Sequence, residues 1–292
     1  MNKKTLKLLL KLLLTGVAIY LVFRKIDIEA TWQVIKKVNF GYLIIAALCF
    51  VLSKALSSLR LNGLFRNLDV LLSERQNLKL YWIGMFYNLF LPGGIGGDGY
   101  KVYWLNKRFD TKVKKLLAAV LLDRVSGLAA LVWLMLGLWF FVNVEWTAPW
   151  GIDLDMVAAV GLTMVPLVFA AVVRWWFPSF WRSTAITSGY SLFVQSAQLI
   201  CAYFILLALG IEEQILEYQF VFLLSSIVAV LPLTIGGVGA RELVFIFSHE
   251  YMGIDKNIAV AFSLLFFLIT AVVSLAGATV KMEDVQGSVT SK

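Results

Sequence analysis

Leu91-Pro-Gly-Gly-Ile-Gly-Gly-Asp-Gly-Tyr-Lys101 and Leu231-Pro-Leu-Thr-Ile-Gly-Gly-Val-Gly-Ala-Arg241 are two copies of one eleven-residue pattern, L-P-x-x-I-G-G-x-G-x-[KR]. Each copy interrupts an apolar stretch, leaving a short hydrophobic run on either side. Proline lacks a backbone donor and glycine costs backbone entropy, so neither continues a helix cheaply. A matched pair of broken apolar segments is the mark of a transporter built from two repeats.

The rest of the chain fits that frame. Hydrophobic residues make up 60% and charged residues 15% of the 292 positions, and the mean hydropathy is +0.83. A soluble domain lies closer to about half apolar and about a quarter charged. The composition therefore predicts an all-α polytopic membrane protein. The net charge of +8 is read as Lys and Arg on cytoplasmic loops, set by topology and lipid headgroups rather than by nucleic acid. Cys49 and Cys201 lie in apolar runs and are expected to be packing residues.

Six full spans are expected, at about 5–23, 41–59, 116–142, 154–173, 183–209 and 258–280. An amphipathic interfacial helix is expected at 25–40, where Ile28, Trp32 and Ile35 share a face. Re-entrant hairpins are expected at 77–108 and 218–247; if they cross fully, seven or eight spans result. With the N-terminus inside, Arg60, Arg66, Arg75, Lys107–Lys115, Arg174, Arg182 and Lys281 fall on the cytoplasmic side. The loops 143–153 and 210–217, which have no Lys or Arg, fall outside. Arg24, Lys25, Lys36 and Lys37 fall on the wrong side of that assignment. Span, span, hairpin, span is then repeated in 1–143 and 144–281, with a short cytoplasmic tail at 282–292. Three crossings per half invert the second half relative to the first, within a single membrane domain.

The motif letters Gly94-x-Gly96-x-x-Gly99 match a dinucleotide fingerprint but lack the βαβ context, and no Gly-Lys-Ser/Thr follows. The glycines are read instead as turns leading into short helices. The N-terminal N–H groups of such helices attract an anion, helped here by Lys101 and Arg241. Further candidate substrate-binding residues are Asn88, Gly96, Gly97, Asp98, Asp123, Arg124, Gly236, Gly237 and Glu242. An ionisable group near the bilayer centre costs about 2.5–3.5 kcal/mol and marks a functional site by default. Ser53/Ser57, Ser191/Gln195/Gln198 and Ser225/Ser226 read as interhelical hydrogen-bonding positions. The single histidine, His249, has no partner motif, and no nucleophile elbow or Cys/His pair occurs. No catalytic residue, metal or cofactor is expected.

The chain resembles the lysylphosphatidylglycerol synthase transmembrane-region family of flippase-like proteins. The resemblance rests on Asn88…Pro92-Gly-Gly-x-Gly-Gly-Asp98, Leu122-Asp-Arg124…Gly127 and Pro232-x-x-Ile-Gly-Gly-x-Gly-x-Arg-Glu242. Lys101 stands where relatives often carry Arg, keeping the charge but not the bidentate geometry. The resemblance implies the plasma membrane of a prokaryote. In the larger multiple peptide resistance factor, such a region moves aminoacylated phosphatidylglycerol between leaflets while a soluble domain makes it. That synthase domain is not expected here, so aminoacyl transfer is not carried over.

The expected function is translocation of an anionic phospholipid or polyprenyl phosphate between leaflets. Two alternatives remain open at this point: a non-transporting membrane subunit docking a glycosyltransferase or lipid-modifying enzyme, and an intramembrane lipid-modifying enzyme. The lipid, the energy source and the oligomeric state are not legible.

Overall fold

A computed structural model of the chain describes residues 28–90, 96–144, 151–230 and 240–282. The described residues form ten α-helices, with short 3-10 turns and no strand. The expected first span, the turn residues of both motifs (91–95 and 231–239) and the tail beyond 282 lie outside them.

Helix α1 (Ile28–Lys36) is short and amphipathic, with Trp32 exposed and the Lys36 ammonium over its ring. Five helices are long and apolar enough to cross a membrane. They are α2 (Phe40–Arg66), α5 (Val113–Trp139), α6 (Leu154–Trp176), α7 (Thr184–Ala208) and α10 (Lys256–Leu275). Three of them start at polar caps: Asn39 accepts from the Gly41 N–H, Asp153 from Asp155 and Met156, and Asp255 from Asn257 and Ile258. The chain is a polytopic membrane protein.

Both broken segments are helix pairs. The first is α3 (Glu74–Phe90) against α4 (Gly96–Phe109), and the second α8 (Ile215–Val230) against α9 (Ala240–Met252). The sequence places Gly96, Gly97 and Gly99 in a turn, but they form the first turn of α4. Packing explains this. Gly97 lies against the Gly84 carbonyl on α3, and a Cβ at position 97 would overlap that oxygen. The glycine is there so that two backbones can touch.

A second correction concerns α2, which runs seven residues past the expected end at 59. Arg60 is not a loop residue. It is 5% exposed and paired inside the protein, so the helix carries on through Leu61, Leu64 and Phe65, all buried.

The middle of the molecule is the seam between α2 and α7. Around it the hairpins pack across the chain. Helix α3 contacts α10 and the turn Ala276–Thr279 that follows it, while α8 contacts α5. Trp82 on α3 donates from Nε1 to the Val273 carbonyl at 2.9 Å. Gly277 abuts the Trp82 carbonyl so closely that any Cβ would overlap it. Helix α6 is the peripheral member: its main helical neighbour is α5, and it exposes Met156, Val160, Leu167 and Val168. A face of that kind belongs in lipid. Trp175 and Trp176 at its end are each 77% exposed, as in an interfacial aromatic belt.

Candidate functional site

Five cationic side chains come together with three carboxylates in and around the helices that carry the motifs. They are carried by α2, α4, α5 and α9, so the cluster is a product of the fold.

Asp98, in the first turn of α4, is buried and bridges two cations. Its Oδ1 accepts from Lys101 Nζ at 3.1 Å, one turn along the same helix. Its Oδ2 accepts from Arg124 Nε on α5. Lys101 is itself buried, and its ammonium lies 4.4 Å from the centroid of the Tyr81 ring on α3. A cation over an aromatic face gains most where water is excluded. Asn88 closes this end: its Oδ1 accepts from the Gly97 N–H at 2.8 Å.

Asp123 does not pair with its neighbour Arg124. Its Oδ1 accepts from Arg60 Nε at 2.7 Å, and Arg60 Nη1 donates to Ser191 Oγ on α7 at 2.9 Å. The guanidinium fits beside α5 because position 127 is glycine; a Cβ there would stand 3.3 Å from Nη1. Gln195 Nε2 donates to the Gly127 carbonyl at 3.1 Å. Ser191 and Gln195 are thus the interhelical hydrogen-bonding residues that their spacing predicts. Tyr81 lies within electrostatic reach of Lys101, Asp123 and Arg60, so the two ion-paired groups share one region.

Arg241 and Glu242, at the start of α9, are built differently. The Arg241 guanidinium stands over the Phe266 ring of α10 at 4.9 Å and over Phe222 of α8 at 5.7 Å. Its Nη1 donates to Ser226 Oγ at 3.3 Å. Glu242 is buried and accepts from Ser263 Oγ of α10 at 2.9 Å. Phe222, Phe245, Phe262 and Phe266 form a continuous stack of rings behind these groups.

The sequence reading misses two members. Lys54 on α2 is half-buried, with its ammonium 4.6 Å from the Phe50 ring centroid. Arg60 was expected among the topological charges of the cytoplasmic side. Spacing carried the signal: Ser53, Ser57 and Arg60 fall at i, i+4 and i+7 on one face of α2.

At the α4 N-terminus, the expected anion seat, one donor already has a partner within the protein. The Asn88 oxygen takes the Gly97 N–H, and the Asp98 carboxylate occupies the first turn. Gly96 opens that helix, and Gly236 and Gly237 lie outside the described residues. Among the described residues no group of three or more metal-ligating side chains occurs. Cys49 and Cys201 are free thiols, Cys201 fully buried in the apolar core.

A family model for the lysylphosphatidylglycerol synthase transmembrane region matches residues 8–277. A UPF0104 membrane protein of Pyrococcus horikoshii is 22% identical over 307 aligned residues, which cover 89% of this chain and 92% of the relative. The chain belongs to the lysylphosphatidylglycerol synthase transmembrane-region family, a family of integral membrane proteins.

Proposed function

We propose that this member of the family translocates an anionic lipid between the leaflets of a prokaryotic plasma membrane. The observation that carries the reading is the charge composition of the interior. Lys54, Arg60, Lys101, Arg124 and Arg241 face Asp98, Asp123 and Glu242 across helices that otherwise bury hydrocarbon. Each such charge is costly to insert. Two of the five cations have no matching carboxylate in this set, which an incoming phosphate would supply.

The broken helices support the same reading. They bring the motif residues Asn88, Gly96, Gly97, Asp98 and Lys101 next to Asp123 and Arg124 on one side of the cluster. Arg241 and Glu242 follow Gly236 and Gly237 on the other. In this reading the two halves are inverted repeats. The exchange of contacts, with α3 against α10 and α8 against α5, is what a pseudo-two-fold axis would generate. Rocking of one half against the other around the cationic centre then opens it to each leaflet in turn, while the acyl or prenyl chains remain in the bilayer.

The orientation follows from helix ends. Arg66, Lys107, Arg108 and Arg174 lie in last turns, and Lys114 and Lys115 in the first turn of α5. The acidic caps Asp153 and Asp255 begin α6 and α10 at the opposite face. Both termini then lie in the cytoplasm.

The test uses purified protein in vesicles doped with headgroup-labelled phosphatidylglycerol, phosphatidic acid or a polyprenyl phosphate. Leaflet exchange well above that of protein-free vesicles is expected for at least one of them. Exchange no faster than in empty vesicles for all three would overturn the reading.

A further inference from the structure

The two motif helices present their cations in opposite ways, and the difference names the ligand. In the first copy the residue three before Lys101 is Asp98; in the second, the residue three before Arg241 is Val238. Lys101 therefore carries its own counterion, and Arg241 has none at that place. Arg241 sits instead on Phe266 and Phe222, with a neutral hydroxyl, Ser226, as its hydrogen-bond partner.

Lys54 stands on the same aromatic wall. Its ammonium lies over Phe50, and the Phe50 ring meets Phe266 edge-on at 5.7 Å. The Phe50–Phe266 pair thus separates one cation from the other and sets both against a single apolar surface. Lys54 is within electrostatic range of Arg60, Arg241 and Asp123, and Arg241 of Glu242. Among the described residues neither Lys54 nor Arg241 has a carboxylate within 4 Å. Both side chains are half-buried.

Elsewhere the cluster is closed. Arg60 is paired with Asp123, and Asp98 is shared between Lys101 and Arg124. Two like charges held near each other on a wall of phenyl rings, with no carboxylate in contact, are stabilised by an anion that joins them.

We propose that Lys54 and Arg241 form a binding site for a phosphomonoester dianion, with the Phe50–Phe266 pair as its floor. The lipid-translocase reading supplies the membrane setting of this site, and the phosphomonoester narrows its substrate from anionic lipids at large to those ending in a terminal phosphate. Arg241 contributes the planar donor edge and Lys54 a point charge. A phosphodiester such as phosphatidylglycerol carries one charge and fills only half of what the site offers.

The test is binding to the detergent-solubilised protein, with dioctanoyl phosphatidic acid, dioctanoyl phosphatidylglycerol and inorganic phosphate as three separate probes in calorimetric titrations. Phosphatidic acid should bind at least about tenfold more tightly than phosphatidylglycerol at pH 8. That advantage should shrink toward pH 5, because the second ionisation of a phosphomonoester lies near about 6. Lys54→Gln and Arg241→Gln should each erase most of the gap, and Arg174→Gln, an exposed cation on α6, should leave it intact.

Should the Gln variants melt early, Arg241→Lys supplies the second measurement, with a smaller loss and the pH dependence kept. Inorganic phosphate competing as well as phosphatidic acid would support the site and assign it to free phosphate. Equal affinity for the two lipids, or a gap that survives both Gln substitutions, would overturn it. Leaflet exchange that persists after such a result leaves the translocase reading standing, and phosphate binding without leaflet exchange removes only the translocase.

Discussion

Lys101 and Arg241 occupy the same place in two copies of one motif, yet one is enclosed and the other is not. Lys101 is buried, bonded to Asp98 and roofed by Tyr81. Arg241 is half-buried, rests on two phenyl rings and bonds to a hydroxyl. Of the differences between the two copies, Asp98 against Val238 is the one that gives or withholds a carboxylate three residues before the cation. Repetition of a backbone motif therefore fixes where a cation will stand, and the residue three positions earlier decides whether it is spent on structure or left for a ligand.

The comparison can be broken from either side. Asp98→Val gives the first copy the residue of the second and removes the carboxylate that Lys101 and Arg124 share. Removing one member of a buried ionic group costs about 3–5 kcal/mol, so the detergent melting midpoint should fall by the largest amount of any change considered. Adding Lys101→Met to it should recover part of the loss; no recovery would mean that Asp98 acts through something other than its cations. Gly97→Ala attacks the backbone contact that seats the first copy. The new methyl meets the Gly84 carbonyl, and overpacking of this kind costs about 1–3 kcal/mol, read from the same melts.

Val238→Asp gives the second copy the residue of the first. Arg241 then acquires a counterion in its own sequence, and phosphatidic acid affinity should drop about tenfold, equivalent to about 1.4 kcal/mol. Unchanged affinity would detach Arg241 from the ligand. The mildest change is Phe266→Leu, which keeps an apolar floor but removes the ring face under Arg241. A cation–π contact at a part-exposed site is worth about 0.5–1 kcal/mol, so titration should register a two- to fivefold weakening, roughly the same energy expressed as affinity.

Much of the architecture was legible because lipid imposes simple rules. Long apolar runs gave α5, α6, α7 and α10 and the start of α2 within a few residues, and the doubled Pro/Gly stretch located both helix pairs. What escaped was information that depends on partners. Arg60 looks like a topological charge beside Arg66 and becomes a buried residue only once Asp123 and Ser191 face it from α5 and α7. Asp123 and Arg124 invite a neighbour-to-neighbour pair, but adjacent residues on a helix point 100° apart, and each found its partner on another helix. Gly96, Gly97 and Gly99 read as a turn because glycine disfavours helices in isolation; the close contact with α3 outweighs that preference. Lys54 was hidden for the opposite reason: nothing in a linear sequence places the Phe266 ring beside Phe50.

The crossing of the hairpins has a bearing on assembly. Trp82 and Gly84 belong to the first hairpin, yet Trp82 finds its hydrogen-bond acceptor, Val273, at the far end of α10, and its backbone nests against Gly277. A ribosome inserting this chain releases the first motif long before its last support exists. The first half must therefore wait in the bilayer with an unfinished surface, and the arrival of α10 closes it. Severing the chain between α5 and α6 should give two pieces that are each protease-sensitive when expressed separately and resistant when expressed together.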